Sequence, residues 1–229
     1  MLKCLAVIPA RGGSKRLPGK NTADFLGRPI IVWTIDAARA CGRFERILVS
    51  TEDAGIAEVA RGAGAEVSER PAALAADTAG LVDVGIDILD REERDGRSYD
   101  VISFLYATAP LRHSDDINAV LDLIEPGVCD FAMAVTRYTH PPHQALCIGK
   151  DGRLRPQWPE LVERSAAEIG PLCVDNGSTY AVTVTAFREQ RTFYGPGLRG
   201  WPMPFTRSVD IDEQNDLDLA RRFAETHGS

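Results

Sequence analysis

The chain has 229 residues, of which 44% are apolar and 26% charged, and its formal net charge is -7. This length allows one large domain, or a domain with an appendage, and excludes a second full enzyme domain. The composition excludes a disordered, collagen-like or coiled-coil protein, and the negative charge predicts no global attraction to nucleic acid or an anionic membrane.

Strands and helices are predicted to alternate from the first residues onward. Residues 4–8 form a continuous apolar run, which indicates a central strand buried on both faces. Residues 30–41 carry apolar side chains at helical spacing, and Gly42 follows where a left-handed C-cap is expected. Asp77 or Thr78 is the expected cap of a later helix. The same patterns predict further strands at 46–50, 65–68, 101–106 and 131–136, and further helices at 53–61, 77–94 and 114–125.

This alternation predicts right-handed crossovers and an open, mostly parallel sheet of the α/β class. The alternation of strands and helices stops at residues 138–174, where five prolines interrupt short apolar runs. We interpret this segment as an excursion from the sheet, either a lid or an arm that pairs with a second subunit. Beyond it we expect strands at 179–184 and 207–211, then a C-terminal helix capped by Asp212 and ending near Glu225.

The cysteines and the apolar segments indicate a cytoplasmic protein. No stretch approaches the roughly 20 apolar residues that cross a bilayer, and the apolar run at the start is too short for a signal peptide. The five cysteines are odd in number, lie far apart and form no Cys-x-x-Cys pair. We therefore expect reduced thiols rather than a disulfide framework.

The loop after the first strand is strongly basic. Residues 11–20 contain four cations, and two unit charges about 4 Å apart interact by roughly 4 kcal/mol at an effective dielectric near 20. An anionic ligand would relieve this repulsion. Glycines in the loop let backbone amides approach a phosphate, and α/β sheets bind ligands at such strand ends. The alternative is a solvated basic turn, but the position after a buried strand favours phosphate binding.

Two common phosphate loops are excluded here. A Walker A loop needs a glycine where Ser14 stands and a serine or threonine where Asn21 stands. The dinucleotide fingerprint also fails, because Gly12 and Gly13 are adjacent rather than separated by one residue.

Asp210 and Asp212 form a second candidate site. Residues two apart in a strand point to the same face, about 6.5–7 Å apart, so these carboxylates can converge on one hard cation. Magnesium suits such a site, because it takes one or two carboxylates and lets phosphates and waters complete its shell. The alternative is that Asp212 only caps the last helix. The polyphosphate-like loop in the same chain favours the metal.

Five segments together resemble the acylneuraminate (CMP-sialic acid synthetase) cytidylyltransferase family, and they occur in the family's order across nearly the whole chain. They are residues 8–21, 69–79, 107–112, 176–180 and 210–212. The opening segment is also similar to CMP-Kdo synthetases, although Gly12-Gly13-Ser14-Lys15 fits the sialic acid branch better.

The resemblance implies a single cytidylyltransferase domain over residues 1–229, with a three-layer α/β/α, nucleotide-diphospho-sugar transferase-like fold. It implies a homodimer whose arm is residues 138–174. The implied reaction transfers CMP from CTP to the anomeric hydroxyl of a nine-carbon 2-keto sugar acid and releases pyrophosphate, with Mg²⁺ as the cofactor.

Carried over by position, the resemblance also implies the roles of individual residues. The triphosphate would be held by Arg11, Ser14, Lys15 and Lys20. The cytidine would be surrounded by Asn21, Arg70, Ala79 and Pro110. The sugar acid would meet Tyr106, Arg164, Asn176 and Tyr180. The metal ligands would be Asp210 and Asp212, which with Arg11 and Lys20 form the implied catalytic set.

Departures from the family pattern leave the sugar open within its class. Tyr106 stands where sialic acid members carry a glutamine that faces the sugar, and Arg164 is followed by Ser165. Both features are closer to the pseudaminic acid branch, whereas Asn176-Gly177 is closer to the sialic acid type. The planar fork of Arg164 suits a carboxylate, and its alternative is an exposed arginine beside Glu163.

The sequence leaves two alternatives to this reaction. One is a CMP-Kdo-type or other sugar nucleotidyltransferase, which performs the same chemistry on another acceptor. The other is a non-catalytic nucleotide-binding homologue, which the intact basic loop and carboxylate pair disfavour. His140 and His143 lie in a proline-rich segment and are interpreted as structural, so the proton acceptor is left unassigned.

Overall fold

A computed structural model describes residues 2–75 and 80–227, so the predicted caps Asp77 and Thr78 lie outside the described residues. The strands are β1 (Cys4–Pro9), β2 (Asp24–Phe25), β3 (Arg28–Pro29), β4 (Phe44–Thr51), β5 (Glu66–Glu69), β6 (Val101–Leu105), β7 (Phe131–Arg137), β8 (Leu146–Ile148), β9 (Leu154–Pro156), β10 (Cys173–Thr183) and β11 (Arg199–Pro202). The helices are α1 (Ile30–Cys41), α2 (Ala54–Gly62), α3 (Ala72–Ala75), α4 (Leu81–Arg94), α5 (Ser114–Asp122), α6 (Ala166–Ile169), α7 (Val184–Gln190) and α8 (Gln214–His227).

Seven strands form the central sheet in the order β11-β7-β10-β6-β1-β4-β5. β1 pairs in parallel with β4 and β6, β4 with β5, and β7 with β11. Only β10 runs against its neighbours in this sheet, β6 and β7. The predicted mostly parallel sheet is confirmed, with one reversed strand inserted among its parallel neighbours.

Side chains of β1 alternate between two buried cores, one on each face of the sheet. Cys4, Ala6 and Ile8 pack with residues of α1, α2 and α5. Leu5 and Val7 pack with residues of α4 and α7 on the opposite face. This confirms the strand buried on both faces and gives the three-layer α/β/α arrangement.

Local signals place the ends of several helices where the sequence predicts them. α1 ends at Cys41 and is followed by its C-cap, Gly42, which adopts the left-handed conformation with φ 66°. α2 begins after Asp53, whose carboxylate accepts a hydrogen bond from the amide of Ile56. The predicted helix at 114–125 is shorter in the structure, since α5 ends at Asp122.

The predicted strand at 207–211 is wrong. Residues 205–207 form a turn of 3₁₀ helix, and the amide of Ile211 donates to the carbonyl of Thr108 without a strand ladder. The apolar alternation reflects packing instead, because Val209 and Ile211 are buried beside Leu217 of α8. The last strand of the central sheet is β11, and neither β11 nor α7 is predicted from the sequence.

The predicted cap of the C-terminal helix is also wrong. The carboxylate of Asp216 accepts hydrogen bonds from the amides of Asp212 and Glu213 at the start of α8. This leaves the Asp212 side chain available for other contacts.

Residues 138–172 lie outside the main sheet, whereas Cys173 and Val174, the last two residues of the predicted excursion, already belong to β10. The strands β8 and β9 pair antiparallel in a separate two-stranded sheet. Three apolar side chains of this hairpin are exposed, namely Leu146, Ile148 and Leu154. None of the described helices is both long enough and apolar enough to cross a membrane.

A buried carboxylate on α4 yields a prediction about stability. Glu92 accepts hydrogen bonds from Arg97, Tyr99 and Arg46. Burial raises the pKa of Glu92, but these bonds outweigh it and lower the pKa from 4.5 to about 2. Because the folded pKa lies below the unfolded one, the stabilisation is complete above pH 4.5 and is lost as the pH falls toward 2.

We therefore expect Glu92→Gln to lower the free energy of unfolding by about 2 kcal/mol at pH 7. The difference from the wild type should shrink as the pH falls below 4.5. Urea unfolding at pH 7 and in acid measures both values, with Glu93→Gln as the exposed control next to it. A difference that is constant with pH would contradict this account.

Candidate functional site

Two cavities lie at the carboxyl ends of the parallel strands, where α/β sheets bind ligands. The first cavity measures about 450 Å³ and the second about 430 Å³, and Tyr106 lines both. Tyr106 directly follows β6, so the end of this strand divides the two spaces. The first cavity contains most of the predicted nucleotide residues, namely Arg11, Ser14, Lys15, Lys20, Asn21 and Arg70.

The basic loop between β1 and the turn at residues 20–22 is folded back on itself. The side-chain amide of Asn21 donates to the carbonyl of Arg11 at 2.9 Å, and the amide of Gly12 donates to Glu52 at 2.8 Å. Gly19 has φ 65°, a conformation that favours glycine. These contacts bring the cations of the loop to one wall of the first cavity.

Asp212 joins this wall from the other end of the chain. Its carboxylate lies 2.9 Å from the ammonium of Lys20 and 2.7 Å from the guanidinium of Arg16. Burial raises the pKa of Asp212, but the hydrogen bond and charge of Lys20, with help from Arg16, hold this pKa below its ordinary value. Asp212 therefore stays ionised beside the basic loop.

Asp210 has a different environment, because it lines the second cavity. Its carboxylate accepts a hydrogen bond from the hydroxyl of Thr108 at 2.5 Å. Burial raises the pKa of Asp210 to about 6, and the nearby charge of Asp212 acts in the same direction. Ionisation of Asp210 therefore costs free energy because the carboxylate is partly desolvated, and a nearby cation would offset that cost.

The chemistry of this pair suits a hard divalent cation. Two carboxylates on neighbouring walls offer oxygen ligands, and the phosphates of a ligand in the first cavity would add more. Among the described residues, no group of three or more His, Cys, Asp or Glu side chains is placed to hold a metal by itself. A metal bound here would therefore depend on ligand oxygens as well.

Arg70 forms a buried part of the first cavity. Its guanidinium donates to the hydroxyl and the carbonyl of Ser50 at 3.2 and 3.0 Å. Burial lowers the pKa of Arg70, which nevertheless remains a cation at neutral pH. These bonds fix the guanidinium at the end of β4.

Tyrosines dominate one side of the second cavity. The rings of Tyr106 and Tyr180 lie 5.4 Å apart, and the hydroxyls of Tyr180 and Tyr194 donate to Asp175 at 2.8 and 2.6 Å. Burial raises the pKa of Tyr106 to about 12, and the bond to Asp175 raises that of Tyr194 to about 12. The phenols of Tyr106 and Tyr194 therefore stay protonated, and those of Tyr180 and Tyr194 donate to Asp175.

Asn176 also lines the second cavity, but its amide is already engaged. Its nitrogen donates to the hydroxyl of Ser208 at 3.1 Å, and its oxygen accepts a bond from the hydroxyl of Ser178 at 2.8 Å. The bond to Ser208 ties β10 to the segment that leads to Asp210. Asn176 thus helps to shape the wall between the two elements.

Three predicted site residues are not brought to these cavities within the described chain. Pro110 lines a third cavity of about 790 Å³, bounded by α1 and α8. Arg164 is exposed in the 138–174 segment, where its carbonyl lies 3.1 Å from a ring nitrogen of His143. Ala79 lies outside the described residues.

Several residues of the site are missed by the assignment from sequence. Arg16 belongs to the predicted cation run and could have been included on that signal. Thr108, Asp175 and Tyr194 carry no comparable signal, since the Thr108–Asp210 bond joins residues 102 positions apart and the Asp175–Tyr194 bond joins residues 19 apart. Their roles depend on which strands become neighbours.

Comparison with known proteins gives consistent matches. The sequence profile of the cytidylyltransferase family (CTP_transf_3) matches residues 5–140. The chain is 33% identical over 227 residues to the CMP-N,N'-diacetyllegionaminic acid synthase of Legionella pneumophila subsp. pneumophila, which covers 98% of this chain and 97% of that protein. It is 30% identical over 221 residues to the pseudaminic acid cytidylyltransferase of Campylobacter jejuni subsp. jejuni, with 96% and 95% covered.

A solved structure of a CMP:2-keto-3-deoxy-manno-octonic acid synthetase complexed with CTP is also similar to this chain. The TM-score is 0.71 at 17% identity, and the match covers 98% of this chain and 99% of the other. At this identity the likeness concerns the fold alone.

The close approach of Gly177 to Asp210 yields a prediction about the shape of the site. Gly177 has φ 65°, and a Cβ atom there would lie 2.7 Å from Oδ2 of Asp210. We expect Gly177→Ala to lower the free energy of unfolding by more than about 2 kcal/mol, since it adds a steric clash to the left-handed backbone cost.

Gly127→Ala is the matched control, because Gly127 has φ 80° and nothing within 4 Å of its Cβ position. It should cost only about 1 kcal/mol, from the backbone alone. Chemical denaturation of both variants measures the difference, and equal losses would show that Asp210 is not closely packed against residue 177.

Proposed function

This chain belongs to the cytidylyltransferase family of enzymes, as its five sequence segments predicted, and on that premise we propose that it transfers CMP from CTP to a nonulosonic acid. The products are the CMP-activated sugar acid and pyrophosphate. The relatives named for legionaminic and pseudaminic acid support this class of acceptor. The member of the class is left open between sialic, legionaminic and pseudaminic acid types.

The observation that best supports the proposal is the contact of Lys20 with Asp212 at the wall of the first cavity. The contact joins the basic loop to the acidic segment, which lies 192 residues further along the chain. A cavity walled by several cations and one ionised carboxylate is suited to a polyphosphate with an associated cation. The second cavity is adjacent, so an acceptor there would lie close to the nucleotide.

In the proposed reaction, the anomeric oxygen of the acceptor forms a bond to the α-phosphorus of CTP. The bond from that phosphorus to the bridging oxygen breaks, pyrophosphate leaves with the electron pair, and the hydroxyl proton passes to an acceptor that is not assigned. Negative charge grows on the phosphate oxygens, so catalysis depends mainly on positioning and on cations. That positive charge would come from four residues that line the first cavity, namely Arg11, Lys15, Arg16 and Lys20.

We propose Asp210 and Asp212 as the residues that hold a magnesium ion with the phosphates of CTP. When bound, the ion would neutralise charge on the phosphate oxygens and on departing pyrophosphate. Lys20 and Arg16 orient the Asp212 carboxylate toward the first cavity and keep it ionised. Thr108 holds Asp210 at the second cavity.

The aromatic wall formed by Tyr106 and Tyr180 supports a deoxy, less hydroxylated sugar acid as acceptor, because an aromatic face excludes water and favours apolar groups. An octonic acid of the Kdo type is the second candidate acceptor. The shared fold with a synthetase for that sugar supports it, although only at the level of the fold.

We further propose that the enzyme is a homodimer joined through the 138–174 segment. Its hairpin exposes Ile148 and Leu154, whose exposed fractions are 75% and 59%. Apolar side chains exposed together on one hairpin favour burial against a second copy.

We also propose a cytoplasmic location, since all five cysteines are free thiols.

The first test of the proposal measures pyrophosphate release from CTP in the presence of magnesium. We expect release only when sialic, legionaminic or pseudaminic acid is added, with mass spectrometry identifying the CMP-linked product. Chelation of the metal should stop the reaction. Absence of product with all three acids would refute the function, and preference for Kdo would support the second candidate.

Within this assay, we expect Asp212→Asn to lower kcat by about 100-fold or more, because it removes an ionised ligand at the phosphate wall. Asp218→Asn on α8 is the control, since it removes an exposed carboxylate elsewhere in the same part of the chain. Near-normal activity of Asp212→Asn would remove the metal role from this residue.

The proposed dimer is tested with Ile148→Asp. A charge placed in an apolar interface should shift the protein to monomers in sedimentation equilibrium, because the carboxylate would lose its water on association. Val128→Asp is the matched control, since Val128 is 67% exposed and lies outside the hairpin. A wild-type protein that sediments as a monomer would overturn the dimer.

A further inference from the structure

The second cavity has an unbalanced set of charges for an acidic ligand. Among its lining residues, the acids are Asp175 and Asp210, and the one cation is Arg137. A sugar carboxylate placed in this cavity meets repulsion from two acids and attraction from one arginine. The placement of Arg137 therefore decides where such a group can be bound.

Arg137 is the last residue of β7, at the carboxyl end of the strand. Its partner in the ladder is Cys173 of β10, so Asp175 lies two residues further along the same face of β10. At this diagonal distance the two side chains are near neighbours, roughly 7–8 Å apart at Cα. A carboxylate at this distance would ordinarily compete for the arginine.

Asp175 is instead bonded to other donors. Its carboxylate accepts hydrogen bonds from the hydroxyls of Tyr180 and Tyr194 and from the amide of Gly177. Among the described residues, no carboxylate forms an ion pair with Arg137. The Asp175 carboxylate is thus engaged by two phenols, whereas Arg137 is an exposed cation that lines the second cavity.

We propose that Arg137 binds the carboxylate of the acceptor sugar acid, from the same chain that binds the nucleotide. This inference rests on the proposed function and names a residue that determines acceptor specificity. A guanidinium matches a carboxylate with two parallel hydrogen bonds, which fixes the orientation of the sugar as well as its charge. Tyr106 separates this arginine from the cations of the first cavity, so the carboxylate and the triphosphate are neutralised by different residues.

The alternative anchor is Arg164, which lines neither cavity within this chain. It lies on the 138–174 segment and would have to act on the cavity of a partner subunit. The two arginines therefore make different predictions for the same measurement.

The test compares a nonulosonic acid that the wild type converts with the methyl ester of the same acid. Turnover gives kcat and KM for the acid, and competition gives the inhibition constant of each compound. We expect Arg137→Gln to lower kcat/KM for the acid by roughly 50-fold, mainly through KM, with the KM for CTP unchanged. The wild-type preference for the acid, measured as the ratio of the ester's inhibition constant to that of the acid, should fall by the same factor. Arg137→Lys should restore part of this preference.

Arg61→Gln on α2 is the matched control, since it removes an exposed arginine that lines neither cavity. This variant should keep kcat and KM for the acid within about twofold of the wild type. A merely structural role of Arg137 would weaken acid and ester equally, and this result would overturn the inference. Loss of the preference in Arg164→Gln, with Arg137→Gln unchanged, would also overturn it in favour of the partner's arm.

Failure of the inference and failure of the proposed function give different results. If the wild type releases pyrophosphate with a nonulosonic acid and Arg137→Gln keeps the acid preference, only the assignment of Arg137 is lost. If the wild type converts none of these acids, the proposed function fails and the assignment fails with it.

Discussion

The ion pair between Lys20 and Asp212 joins the two parts of the chain on which the site depends. The loop after β1 concentrates cations that repel one another, and Asp212 supplies a nearby carboxylate at 2.9 Å from Lys20 and 2.7 Å from Arg16. The same carboxylate stays ionised because those cations lower its pKa. The basic wall and the acidic segment therefore stabilise each other's charge state before any ligand binds.

The neighbouring carboxylate shows how the environment separates two chemically identical groups. Partial burial raises the pKa of Asp210 to about 6 even though the hydroxyl of Thr108 donates to it, whereas Asp212 faces two cations. Only one residue lies between them, yet they line different cavities. A cation shared between them would link the first cavity to the second.

The reversed strand β10 creates the second half of the site. It lies between β6 and β7, and its pairing with β6 places Tyr180 against Tyr106. The irregular register between β10 and β7 falls at residues 175–180, where Asp175, Asn176 and Gly177 line the second cavity. A fully parallel sheet would not bring these residues beside the end of β6. The second cavity is thus a consequence of strand order.

The sequence alone was enough to predict the strands of the main sheet and the longer helices between them up to β7, because buried strands and helix caps leave local patterns such as the apolar run at residues 4–8 and Gly42 after α1. The short elements β2, β3 and α3 were not predicted. The sequence also identified the basic loop and the carboxylate pair, because like charges and paired acids are visible at short spacing. It could not distinguish the apolar alternation at Val209 and Ile211 from a strand, because burial under α8 produces the same pattern. Only the tertiary structure decided that Asp212 meets Lys20, that Asp175 is held by two tyrosines and that Pro110 lines a different cavity, since these contacts depend on which strand ends become neighbours.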